Sequence, residues 1–215
     1  MSLTVGIAGR QGVGKSTLAK SLQLVLSERG YKTAVTPLAE TIKDILAAVE
    51  NYNLEELRRI YSSLDTAYQG KALDSLIDRV LTLYNLYPTL PGQKNRRFLQ
   101  YVGTELGRDV LGQDVWLNAT LNRAKEKQLD VAIVDDVRFV SEVEKMDFVI
   151  LIDYRLDYHR WLQVCDGKGY NTNDAHISES FDLSPYAHFI MQPYTSHSEA
   201  ILRVLNYVHY ARPVQ

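Results

Sequence analysis

An α/β fold built on a parallel sheet is what this sequence predicts, from three observations. Five short apolar segments, Leu3–Ala8, Lys32–Thr36, Val131–Val134, Phe148–Ile152 and His188–Met191, have the length and hydrophobicity of strands buried on both faces. Stretches with helical spacing separate them, the pattern of βαβ units whose helices cover a sheet. A glycine-rich loop at residues 9–16 joins the first strand to the first helix.

That loop reads Gly9-Arg10-Gln11-Gly12-Val13-Gly14-Lys15-Ser16, the pattern G-x-x-x-x-G-K-[ST]. Its glycines let the backbone curl so that several N–H groups point at one phosphate, and the helix behind it adds the positive end of its dipole. Lys15 is placed to reach the β- and γ-phosphates as a catalytic charge, and Ser16 to hold Mg²⁺. With Thr17, the expected ATP-binding set is Gly9, Gly12, Val13, Gly14, Lys15, Ser16 and Thr17. The helix that follows repeats Leu18, Leu22 and Leu26 on one face, and Gly30 closes it.

The interval 37–129 between the second and third strands is too long for a loop, and its periodicity is helical throughout. Asn53-x-x-Glu56 caps a helix carrying Leu57 and Ile60, and a second helix carries Leu73, Leu76 and Val80 and stops before Pro88. Helical spacing resumes over Asn95–Leu106 and again over Asp114–Lys127. This interval is read as a helical insertion in a nucleotide-binding sheet. Tyr84, Tyr87, Tyr101 and Trp116 within it either stack on a base or fill its core.

The third strand, Val131-Ala132-Ile133-Val134-Asp135-Asp136, ends in two acids, the form of a Walker B element. Asp135 is assigned with Ser16 to the metal and Asp136 to catalysis. Because successive strand side chains face opposite ways, their separate roles stay open at this level. Arg138 follows, either as a bidentate clamp on a substrate phosphate or as the partner of Asp136 or Glu142. Arg96, Arg97 and Arg108 in the insertion, with Arg155 and Arg160 after the fourth strand, are distributed as phosphoryl transfer requires, from several directions. The polar, turn-rich segment 154–186 reads as a second insertion, a lid over bound nucleotide. His176 and Glu179 in it are three apart; the choices are a metal, a nucleotide contact or a local structural role. The last helix begins at Ser196-x-x-Glu199 and repeats Ile201, Leu205 and Val208.

Composition bounds the rest. At 215 residues, 46% hydrophobic, the chain is sized for a single α/β domain. A formal net charge of −2 with no long basic run argues against nucleic-acid wrapping, and no apolar run reaches membrane length. One cysteine, Cys165, excludes an intrachain disulfide, and with no leader expected at the N-terminus the reading is cytoplasmic.

Taken in order, these motifs resemble the bacteriophage deoxynucleoside monophosphate kinases, within the adenylate-kinase-like P-loop kinases. The residues that carry the likeness are Gly9–Thr17; Ala39 to Lys43; Leu99-Gln100-Tyr101-Val102-Gly103-Thr104-Glu105 with Arg108; Asp114-Val115-Trp116; Asp135 to Phe139 with Glu142; and His176-x-Ser178-Glu179. Val140-Ser141 stands where the family has Pro-Asn, and Ile177 where it has Pro. The resemblance implies a single P-loop kinase domain over residues 1–215, with a three-layer sandwich and a five-stranded sheet of order 2-3-1-4-5. It also implies transfer of the γ-phosphoryl group of ATP, with Mg²⁺, to a (deoxy)nucleoside monophosphate, in a host cytoplasm if the gene is a phage's. The acceptor site would then comprise Lys43, Arg97, Gln100, Thr104, Arg108, Trp116, His176 and Glu179, with Lys15, Asp136, Arg138, Arg155 and Arg160 as the catalytic set. A homodimer is compatible with the sequence. The competing readings are a P-loop kinase of another phosphorylated small molecule, of the dephospho-coenzyme A or phosphomevalonate type, and a nucleotide-dependent switch or assembly ATPase.

Overall fold

The sheet grows outward from β1 (Leu3–Gly9), whose middle five residues are buried. It leads through the glycine loop into α1 (Lys15–Glu28), followed by β2 (Thr33–Val35). Six helices come next: α2 (Glu40–Glu50), α3 (Leu54–Leu64), α4 (Lys71–Leu86), α5 (Arg96–Gly103), the single turn α6 (Asp109–Leu111) and α7 (Val115–Glu126). A π-helical turn, Thr104–Arg108, joins α5 to α6. The chain then forms β3 (Val131–Val137), α8 (Val140–Val143), β4 (Phe148–Ile152), β5 (Phe189–Met191) and α9 (His197–Ala211). The computed structural model describes residues 2–10, 12–64, 69–153, 182–192 and 194–211.

All strand pairings are parallel, and the order is β2-β3-β1-β4-β5, as predicted. Each predicted strand segment forms a strand, with one informative difference. β3 does not end before the acids but runs through them to Val137. Its register against β1 shifts there: Gly6 lies opposite Val134 and Ala8 opposite Val137, so β3 takes an extra residue at Asp135–Asp136. Irregular pairing of this kind re-aims side chains at a sheet's functional end.

The helices follow from the spacing of their apolar residues. Leu18, Leu22 and Leu26 of α1 and Ala200, Val204 and Val208 of α9 are buried against one face of the sheet, over Val5, Ile133 and Ile150. Full burial of each leucine contributes about 1.5–3 kcal/mol. The opposite face carries small residues, Ala34 and Ala132, under Ala124 and Leu129. Capping was legible too: Ser196 Oγ accepts the Glu199 N–H at 3.2 Å before α9, and Asn53 Oδ1 accepts the Glu56 N–H at 3.0 Å before α3.

The described residues divide into two compact units, one drawn from residues up to 37 and from 124 onward, the other Leu38–Arg123. In the second, α2 packs on α3 and α5, and α4 packs on α3 and α5. Its core includes Ile45, Leu57, Tyr61, Val80, Phe98 and Trp116. Among the described residues no helix is long and apolar enough to cross a membrane.

Candidate phosphate-binding site

The loop between β1 and α1 takes positive φ at Gly9, Gly12 and Gly14, and the first and last show why glycine is needed. At Gly9 (φ +141) a Cβ would lie 2.7 Å from the Ile152 carbonyl oxygen of β4, so the loop can leave the sheet only where no side chain exists. At Gly14 (φ +96) nothing crowds the position, and the requirement is the left-handed backbone that starts α1. Lys15 is then the first residue of the helix. Its ammonium donates to the carbonyl oxygens of Gly9 at 2.7 Å and Arg10 at 2.8 Å, which holds the charge over the loop's own backbone. Val13 is buried under the loop, while Ser16 and Thr17 are exposed at the start of α1.

The decisive contact lies across the sheet. Ser16 Oγ donates to Asp135 Oδ2 at 2.6 Å, and Asp135 is 8% exposed. This joins the hydroxyl of the loop to the carboxylate of β3. The arrangement is that of a P-loop. Two cis ligands of an octahedral Mg²⁺ at about 2.0–2.1 Å lie about 2.9 Å apart, close to this separation, and both are the hard oxygen donors that Mg²⁺ takes. The donor pair therefore fits the cation assigned to it. The structure also separates the two acids: Asp135 meets the loop hydroxyl, and Asp136 beside it is half-buried.

Arg138 follows β3 and is exposed. Its backbone is fixed by Glu142, which the sequence offered as a possible side-chain partner of Arg138. Glu142, 2% exposed, accepts the Arg138 N–H at 2.8 Å and the Phe139 N–H at 3.1 Å on the same oxygen, Oε2. This is one arm of a capping box at α8; the other arm is missing because Phe139 has no side-chain acceptor. The available signal was the Phe139-x-x-Glu142 spacing at a helix start.

In the helical unit, Arg97, Gln100, Thr104 and Arg108 share one stripe of α5 and the π turn, while Phe98, Val102 and Leu106 fill the buried side. Lys43 is exposed on α2. Trp116, which the sequence offered both as an acceptor contact and as a core residue, is 1% exposed, and its Nε1 donates to the Gly103 carbonyl at 2.8 Å. The slot for its ring exists because residue 107 is glycine; a Cβ there would lie 2.2 Å from Trp116 Cζ2. Arg123 went unread in the sequence. It bridges Glu40 at 3.1 Å, Asp44 at 2.8 Å and Thr41 Oγ1 at 3.2 Å, fixing the helix that carries Lys43. Burial pulls its pKa down, but the hydrogen bond and charge of Asp44 and the charge of Glu40 outweigh this and hold it above the ordinary arginine value. Arg155, Arg160, His176 and Glu179, with most of the segment 154–186, lie outside the described residues.

No family model matches the chain. A deoxynucleoside-5'-monophosphate kinase of Escherichia phage T5 is 43% identical over 49 residues, which is 23% of this chain and 20% of that protein's length. Among solved structures, dephospho-CoA kinase from Campylobacter jejuni aligns over 96% of this chain and 97% of its own, at 16% identity and a TM-score of 0.41, too low to speak to function or substrate.

Proposed function

We propose that this protein is a nucleotide kinase that moves the γ-phosphoryl group of ATP onto a (deoxy)nucleoside monophosphate, releasing ADP and the diphosphate. The observation that carries the reading is the Ser16–Asp135 hydrogen bond beside Lys15, which assembles loop, cation-holding oxygens and catalytic charge. A monophosphate acceptor is supported by the ordered motifs along the chain, by the short match to the phage T5 kinase, and by a helix face bearing Arg97, Gln100, Thr104 and Arg108.

In this reading an oxygen of the acceptor's phosphate attacks the γ-phosphorus. As that bond forms, the bond from the γ-phosphorus to the bridging oxygen breaks, and its electron pair leaves with ADP. The transition state is loose, so the protein's work is positioning and charge neutralisation. Lys15 exchanges its carbonyl partners for β- and γ-phosphate oxygens. Mg²⁺, held by Ser16 and Asp135, supplies further neutralisation of the phosphate charge when bound. Arg138 offers a bidentate guanidinium from a turn that Glu142 fixes, Asp136 orients the reacting groups, and Arg155 and Arg160 complete the charge set. Lys43, Arg97, Gln100, Thr104 and Arg108, with His176 and Glu179, hold the acceptor.

The test is ADP release with each deoxynucleoside and ribonucleoside monophosphate in turn, and with dephospho-coenzyme A. At least one monophosphate should raise ADP release well above the acceptor-free rate, in a Mg²⁺-dependent way. Background release with all of them, while ATP still binds, removes the kinase reading; activity with dephospho-coenzyme A alone moves it to another acceptor.

A further inference from the structure

The stripe on α5 contains a residue that charge and hydrogen bonding do not explain. Positions 97, 100, 101, 104 and 108 recur at helical spacing on the side away from Phe98 and Val102. Four of them are polar or charged. The fifth, Tyr101, is 39% exposed. Its ring lies nearly parallel to that of Tyr87, with an interplanar angle of 11° and centroids 5.7 Å apart. The guanidinium of Arg97 sits 5.7 Å from the Tyr87 ring centroid. A tyrosine recruited for packing would resemble Tyr84 instead, which meets the fully buried Phe98 edge-on at 5.6 Å.

The stack is held in place before any ligand arrives. The Tyr87 carbonyl accepts from Asn95 Nδ2 at 2.6 Å, and the Tyr87 N–H donates to Leu83 O at 3.0 Å. Asn95 is itself 9% exposed and caps α5 through the Phe98 N–H at 3.1 Å. An aromatic surface fixed in this way loses little conformational freedom on binding a flat ligand. The cations one and two turns away along the same face suit an anionic group attached to that ligand.

We propose that the exposed ring of Tyr101, backed by Tyr87 and Arg97, is the platform on which the acceptor's nucleobase stacks. The proposal rests on the acceptor being a nucleotide, as argued above, and it names how that nucleotide is held. Stacking uses the π-face that every base has, so the platform contributes affinity with little choice among bases. Gln100, next in sequence, carries an amide that both donates and accepts and is the group on this face suited to reading a base edge.

The test compares wild type, Y101A and Y101F in calorimetric titrations with deoxynucleoside monophosphates and with deoxyribose 5-phosphate, which has the sugar and phosphate but no base. Wild type should bind the nucleotides more tightly than the abasic compound. Y101A should weaken every nucleotide by about 5- to 150-fold, the range for loss of one stacked base, and leave deoxyribose 5-phosphate and ATP unaffected. Y101F, which keeps the ring, should recover most of that loss. If Y101A does not fold, Y101L, which keeps bulk without a π-face, gives the same contrast. Equal weakening of nucleotide and abasic compound, or no weakening, overturns the platform. Nucleotides that bind through Tyr101 without being phosphorylated would keep the platform and remove the kinase reading. Nucleotides phosphorylated alike by wild type and Y101A would do the reverse.

Discussion

Removing the Glu142 carboxylate should unsettle the turn that presents Arg138. Its Oε2 is the shared acceptor of the Arg138 and Phe139 N–H groups, and the side chain is 2% exposed. E142A leaves two backbone donors without that partner, at about 1–3 kcal/mol for each that stays dry. Arg138 is exposed, so water can reach its half of the turn, and the sum falls to about 2–4 kcal/mol. For a chain of 215 residues, at about 2–4 °C per kcal/mol, this lowers Tm by roughly 5–15 °C. E142Q keeps one carbonyl oxygen and should lose about 1 kcal/mol. Thermal unfolding followed by circular dichroism measures both. A Tm for E142A within about 2 °C of wild type would refute the reasoning. Kinetics then tell position from stability. If Glu142 acts through Arg138, E142Q should lower kcat in the wild-type background and have little effect in R138A. Full additivity would mean that the two residues act separately.

K15A should reduce turnover by about 10²-fold or more, the scale of one preorganised charge contact, with little change in Tm because its bonds lie at the partly exposed mouth of the loop; near-normal ADP release would remove Lys15 from the mechanism. D135N should raise the Mg²⁺ concentration needed for half-maximal turnover, since it alters the partner of Ser16, whereas D136N should impair transfer at saturating Mg²⁺; equal, mild effects would undo the assignment. Burial raises the pKa of the Tyr61 hydroxyl above its ordinary value, and this hydroxyl has no hydrogen-bond partner among the described residues. The folded state keeps that proton where the unfolded state loses it, so stability is retained below about pH 10 and falls by up to about 1.4 kcal/mol per unit above it. Y61F should be no less stable at pH 7 and should lack this part of the alkaline loss; urea unfolding against pH would show identical slopes if the idea is wrong.

The sheet was legible because strands buried on both faces read as continuous apolar runs, and the phosphate loop because its glycines and lysine work only at fixed spacing. The buried side of α5 was legible for a similar reason: helical spacing picks out Phe98 and Val102 without any knowledge of the neighbours, whereas Gln100 and Thr104 came only from the family resemblance. What escaped was decided by partners distant in sequence or by the absence of a side chain. Arg123 finds Asp44 across 79 positions, and nothing around either residue announces it. For Trp116 the sequence left a ligand contact and core packing both open, and the buried slot for its ring depends on the missing side chain of Gly107. The extra residue that β3 takes at Asp135–Asp136 is a property of its pairing with β1, so alternation along one strand could not tell the two acids apart.

The bonds at the loop share a feature that bears on how such a site works. Lys15 is held by two backbone carbonyls, Asp135 by a hydroxyl and Glu142 by two backbone N–H groups. Each of these particular bonds is to a dipole, and a dipole aims a charge without itself cancelling it. A charge aimed in advance by dipoles meets a phosphate with little reorganisation, and that preorganisation is where most of the electrostatic gain in catalysis arises. The same logic explains why the Ser16–Asp135 contact needs the strand as well as the loop. A hydroxyl on a helix start can turn, but Asp135 is buried just past the stretch of β3 that is paired on both sides, Val131–Ile133, and so the strand sets where the cation-holding oxygens meet.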